Sequence, residues 1–226
     1  MEDYIKDIHK IPFINENNII LTEFWEREEQ FDAAQFIKPE DSVLELGGRY
    51  GVVSCIINSK LNNKKNHFVV EPDTNVLNAL ITNKNNHNAQ FTIYNGIISR
   101  CPCSISLSDE SSSIYNDING TLPFISISEI EKQYNIKFTC FVADCEGCIE
   151  KFINEFPTFF RDIDTILIEE DQKHICNYEN VNIFFRNNGF SQVKKGFHSV
   201  WSKLPYISSQ STKNIPRVKK LIWNKI

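Results

Sequence analysis

Residues 41–54 read "DSVLELGGRYGVVS", a short apolar run that falls directly into three glycines. Val43-Leu44-Glu45-Leu46 has the length and composition of a buried strand, and the glycines open the amphipathic stretch "GVVSCIINSKL". A strand, a glycine turn and a helix in that order form the first half of a βαβ unit. Outward from this point the alternation continues. "HFVVE" is a strand and "DTNVLNALITNK" a helix, with Asp73 or Thr74 as its N-cap. "QFTIYNGII" is a strand, "PFISISEIEKQYN" a strand and short helix, and "KFTCFVADC" a strand. "IEKFINEF" is a helix, "IDTILIEED" a strand and "NYENVNIFFRNNG" a helix, before a closing strand pair, "FSQVKKG" and "SVWSKL". Such alternation implies right-handed crossovers and a mainly parallel sheet, the closing pair adding an antiparallel edge.

The flanks are less regular. Phe24, Phe31 and Phe36 recur at near-helical spacing in residues 20–37, which predicts a lead-in helix stopped by Pro39. The Ser-, Asp- and Asn-rich stretch 100–123 reads as a long loop with a short hairpin near "SISLSD", placed to close over a substrate. One domain is expected over 1–226: a lead-in to residue 39, a core over 40–204 and a basic tail over 205–226. The tail carries Lys213, Arg217, Lys219, Lys220 and Lys225, read as a solvated helix face.

Composition removes several function classes. A formal charge of −5 disfavours a nucleic-acid partner, since phosphate binding needs concentrated positive charge. No stretch approaches a membrane span, and "MEDYIKDIHKIPF" has no secretory h-region, so a cytoplasmic location without membrane association is expected. Seven cysteines are then expected as reduced thiols. Cys145 and Cys148 form a CxxC with no second pair at zinc-site spacing.

In an open parallel sheet, ligands bind at the carboxyl ends of the strands, so the first glycine loop carries most weight. Its pattern is Glu-x-Gly-x-x-x-Gly, with Arg49 where a dinucleotide fingerprint has its second glycine. That side chain obstructs a pyrophosphate, which disfavours NAD and FAD. S-adenosylmethionine has no phosphate and tolerates a looser loop. Glu71, twenty residues after Gly51 at the end of the next strand, can accept hydrogen bonds from both ribose hydroxyls. The expected cofactor set is Glu45, Gly47, Gly48, Arg49, Tyr50 and Gly51, with Glu71 and Pro72.

"VLELGGRYGVVS", "FVVEPD", "FVADCEG" and "GFHSVWSK" together resemble the FkbM family of class I S-adenosylmethionine-dependent methyltransferases. The resemblance spans roughly residues 40–203, and its wording is similar to a branch found in large DNA viruses of protists, which implies a host-cytoplasmic setting. It implies a Rossmann-like fold with a mostly parallel seven-stranded sheet, and O-methylation of a sugar or glycan hydroxyl. Val142 stands where the family commonly has lysine, and the acid after "DCEG" falls one place late, at Glu150.

Methyl transfer to a hydroxyl needs a base near the strand ends. Asp144 and Glu146 follow the fourth strand, and Glu169, Glu170 and Asp171 follow the fifth, placing five carboxylates on one rim. Asp144 is the expected base, with Glu170 and His198 as helpers. Asp144, Glu169 and Glu170 are the expected ligands of any divalent metal. Trp201 and Tyr115 are candidates for stacking on a sugar face. The departures at Val142 and Glu150 keep a non-catalytic binding protein as the alternative, and the basic tail keeps a nucleic-acid methyltransferase as a lesser one. A homodimer is left open.

Overall fold

The computed structural model describes residues 1–107 and 112–203. The basic tail therefore lies outside the described residues, as does the tip of the 100–123 loop. Along the chain run α1 (Glu2–Ile8), α2 (Arg27–Phe36), β1 (Val43–Leu46), α3 (Val52–Lys60), β2 (His67–Val70), α4 (Leu77–Asn86), β3 (Thr92–Tyr94) and β4 (Ile97–Ile98). β5 (Cys103–Leu107), β6 (Ser112–Asn116), β7 (Phe124–Ile125), α5 (Ile127–Tyr134) and β8 (Cys140–Ala143) follow. The described residues end with α6 (Ile149–Glu155), a 3-10 turn (Pro157–Arg161), β9 (Thr165–Glu169), α7 (Tyr178–Asn187), β10 (Ser191–Lys194) and β11 (His198–Ser202).

Seven strands form one sheet in the order β10-β11-β9-β8-β1-β2-β3. β1 lies parallel to both β2 and β8, with Leu46 opposite Val70 on one side and Ala143 on the other. β11 runs antiparallel between β9 and β10, so the expected C-terminal antiparallel hairpin is present. This is the Rossmann-like methyltransferase architecture. β1 at the centre is buried along its whole length, as parallel strands covered on both faces must be.

Strand alternation assigns the two faces. Val43, Cys140, Val142, Leu167 and Val200 pack with Ala33, Phe36, Val53 and Ile56 of α2 and α3. Leu44, Leu46, Phe141, Ala143, Ile166, Ile168 and Trp201 point the other way, into a phenylalanine-rich layer under α5, α6 and α7. Trp201 is fully buried there, so it is core and not a sugar platform; Tyr115 is exposed.

Four local expectations are corrected. The lead-in helix covers only Arg27–Phe36, because Glu26 takes a left-handed conformation (φ 50°) and Leu21 is held by Phe13 O. Asp73 caps nothing: its carboxylate accepts from Asn75 N in a local turn, and α4 begins at Leu77. "QFTIYNGII" is two strands, broken at Asn95-Gly96, and Ile97–Ile98 pairs with Phe124–Ile125 outside the main sheet. Cys145 and Cys148 are joined as a disulfide instead of standing as reduced thiols; the other five cysteines are free. The hairpin inside 100–123 is present as β5 and β6.

Candidate functional site

At the carboxyl ends of β1, β2 and β8 lies an open cavity. Gly47, Arg49, Glu71, Pro72 and Asp144 line it, with Leu46, Ile97 and Ile98 as apolar wall. Ile114 of the β5–β6 hairpin also lines it, so the 100–123 segment borders this cavity. Its lining joins apolar side chains to a few convergent polar groups, as small-molecule sites do.

The backbone explains why the loop has this sequence. Gly47 has φ 89°, and a Cβ built there would lie 1.6 Å from Asp144 O, so the β1 and β8 loops meet only because this side chain is missing. Arg49 is also left-handed, at φ 37°, which turns its N–H toward Glu71. Glu71 is only 4% exposed, and its two oxygens accept from Arg49 N at 2.7 Å and Asp73 N at 2.8 Å. Burial nonetheless pushes its carboxyl up to about 7. A carboxylate has about four acceptor sites, so two stay available for a pair of hydroxyls. The residues present fit the adenosine end of S-adenosylmethionine, with Glu71 to hold the ribose.

Four of the loop residues expected at the cofactor do other work. Glu45 is on the α3 face of β1, where it accepts from Ser54 Oγ at 2.8 Å and meets His67 Nε2 at 2.7 Å. Gly48 packs against Val69 and Leu80. Tyr50 is buried with Val76 and Ala79. Gly51, at φ 79°, is the left-handed residue that starts α3 beside Leu80.

A second cluster adjoins the cavity at Asp144. Ligand-type atoms of Asp144, Glu169 and Asp171 lie within 4.8 Å of one another. The same holds for Glu26, Glu29 and Asp144, and for Glu29, Glu169 and His198. His198 Nδ1 is 3.3 Å from Glu29 Oε1, and its Nε2 is 4.0 Å from Glu169 Oε1. Register produces this meeting: Glu169 is opposite His198 across the β9–β11 ladder, and both project toward α2, which brings Glu29.

Glu170, expected as catalytic helper and metal ligand, is one residue further along the strand and points away. It accepts from Ser199 Oγ at 2.6 Å, so Glu169 takes the place assigned to it. Glu26 and Glu29 were missed by sequence reasoning, since acids on a lead-in segment look like a solvated face. A divalent cation would be held by one of these triads, such as Glu29, Glu169 and His198.

Crowding sets the protonation of this cluster. Burial first, then the neighbouring Asp144, holds Glu169 far above the usual carboxylate range, and Glu29 is raised by burial and by Asp144. Glu146 is pushed up to about 7 by burial and by Asp171. Burial lowers His198, which keeps the imidazole neutral and able to accept a proton near neutral pH.

Comparison with known proteins supports the fold. The chain is similar to a protein provisionally assigned as an RNA methyltransferase, PH1948 of Pyrococcus horikoshii: 12% identity, TM-score 0.50, covering 90% of this chain and 99% of that one. It is similar too to cofactor-bound Rv0187 from MTB, at 9% identity and TM-score 0.51, covering 89% and 86% of the two chains. These likenesses place it among Rossmann-like methyltransferase folds. No family model and no curated protein matches the sequence. No helix among the described residues is long and apolar enough to cross a membrane.

Proposed function

We propose that this protein is an S-adenosylmethionine-dependent O-methyltransferase of FkbM type, acting on a hydroxyl of a sugar or glycan. The observation that carries it is the position of Asp144. It lines the same cavity as Glu71, and it belongs to the carboxyl cluster that reaches His198 through Glu29 and Glu169. The bound cofactor supplies an electrophilic methyl group on a sulfonium. Gly47 and Arg49 shape the loop that seats it, and Glu71 accepts from its ribose hydroxyls. A bound cofactor would offer its methyl group to the acceptor oxygen, and His198 Nε2 would take the hydroxyl proton. Glu29, 3.3 Å from Nδ1, would fix the orientation of the imidazole ring. Alignment of the two reactants contributes several kcal/mol more.

Charge supports an uncharged acceptor. Glu26, Glu29, Asp144, Glu146, Glu169 and Asp171 crowd the site, with no lysine or arginine among them to pair with a phosphate. RNA, the acceptor class in the name of the Pyrococcus protein, is therefore disfavoured. A second reading, favoured by ligand atoms of Glu29, Glu169 and His198 that lie within 4.8 Å of one another, seats a divalent cation that would bind the acceptor hydroxyl directly. Incubation with labelled cofactor and a panel of sugars, with and without EDTA, tests both. Label transfer to a sugar, unaffected by EDTA, is the expected result. Transfer abolished by EDTA and restored by Mg²⁺ or Mn²⁺ selects the cation reading, and transfer to RNA alone removes the sugar assignment.

A further inference from the structure

The turn between β8 and α6 reads Asp144-Cys145-Glu146-Gly147-Cys148, and the two cysteines that frame it are bonded, their Cα atoms 5.4 Å apart. Both lie on the wall of the cavity described above. We infer that Cys145 and Cys148 form a thiol–disulfide exchange site whose oxidation state sets the affinity of that cavity for its ligand. The inference rests on the cofactor reading proposed above.

Accessibility separates this pair from most of the other cysteines. Cys55, Cys103, Cys140 and Cys176 are buried. Burial also raises the thiols of Cys55 and Cys140, and pushes Cys176 up to about 11, which leaves them unreactive. Cys145 and Cys148 are half-buried beside an open cavity, where a small thiol or disulfide can reach them.

The ring they close holds a backbone that would not hold itself. Glu146 has φ 53° and Gly147 φ 80°, two successive left-handed residues, the first not a glycine. At Gly147 a Cβ would come within 3.1 Å of Gln172 Cβ and 3.3 Å of Ile175 Cβ, so the turn is pressed against the loop after β9. Glu146 fastens the same two loops by accepting from Gln172 Nε2 at 2.7 Å. Asp144, immediately before the ring, meets the Gly47 loop. The disulfide is therefore a clamp on the segment that aligns Asp144 and Glu146 with the cavity.

In the reducing direction a thiolate attacks one sulfur, forms a mixed disulfide and is then displaced by a second thiol. Two external thiols become one disulfide, and Cys145 and Cys148 gain the two electrons and two protons. Oxidation is the reverse, with a small-molecule disulfide such as oxidised glutathione as electron acceptor. In the dithiol state the left-handed turn loses its clamp and must be ordered when ligand binds, which weakens binding.

The test uses the full chain equilibrated in reduced or in oxidised glutathione. Alkylation and mass spectrometry report the state of the pair, and calorimetry with S-adenosylhomocysteine reports affinity. Expected is protection of both cysteines from alkylation in oxidised buffer, with binding about threefold or more tighter than in reduced buffer. That difference should vanish in Cys148→Ser and persist in Cys101→Ser. A pair that stays alkylatable in oxidised glutathione overturns the inference. So does a pair that converts without changing affinity, although the cofactor reading then survives. Absence of binding in both buffers overturns the cofactor reading, and this inference with it.

Discussion

Two carboxyl groups at the carboxyl ends of strands in the same sheet, the buried Glu71 and the half-buried Glu169, live in opposite surroundings. Glu71 accepts from two backbone N–H groups and is raised only to about 7. Glu169 faces Asp144, Glu29 and Asp171 and is raised far beyond that. One acid is built to accept hydrogen bonds and the other to share a proton with its neighbours. The contrast explains why a single fold offers a fixed cradle on one side of Asp144 and proton-handling chemistry on the other.

The cradle side is the more easily broken. Gly47→Ala places a Cβ where Asp144 O already stands and in a conformation alanine resists. Cofactor affinity is expected to fall by about two orders of magnitude, and the thermal midpoint by roughly 5 °C or more. Calorimetry and a melting curve check both, and a variant that binds normally would show that the two loops do not need to meet.

The cluster side should respond through pH. A carboxyl whose folded pKa is raised makes the native state the better proton binder, so its stability contribution is full below the unfolded pKa and is lost as pH rises through the folded value. Glu71 and Glu146 pass through that range near 7. The protein free of ligand is therefore expected to be less stable at pH 8 than at pH 5.5. Glu169→Gln removes one such proton acceptor, and should raise the midpoint at pH 8 by a few degrees while changing it less at pH 5.5. An equal shift at both pH values would mean that the carboxyls do not interact.

The smallest effect belongs to Glu170. Because it accepts from Ser199 Oγ and not from the cluster, Glu170→Gln should change turnover by less than about threefold. A larger loss would place Glu170 among the groups that act on the substrate.

Much of this was legible in the sequence, and the failures share one cause. The βαβ alternation, the glycine turn, Glu71 and the closing hairpin followed from local pattern, and the sheet has the expected composition. Glu45 and Glu170 were misplaced because a strand alternates faces, and which face holds the ligand depends on the layers that cover it. Glu26 and Glu29 reach the site only through packing of α2 on the sheet, a contact between segments more than a hundred residues apart in sequence from Asp144 and His198. The disulfide was missed because composition speaks to compartment and not to the turn that brings Cys145 and Cys148 together.

The most direct test of the central claim is calorimetric titration of the wild-type chain and Glu71→Ala with S-adenosylhomocysteine at pH 8. Micromolar binding by the wild type, weakened about tenfold or more in the variant, is predicted, because a charge-assisted hydrogen bond contributes about 1.5–3 kcal/mol. Equal affinity in the two proteins, or no binding by either, would contradict the reading of this cavity as a cofactor site.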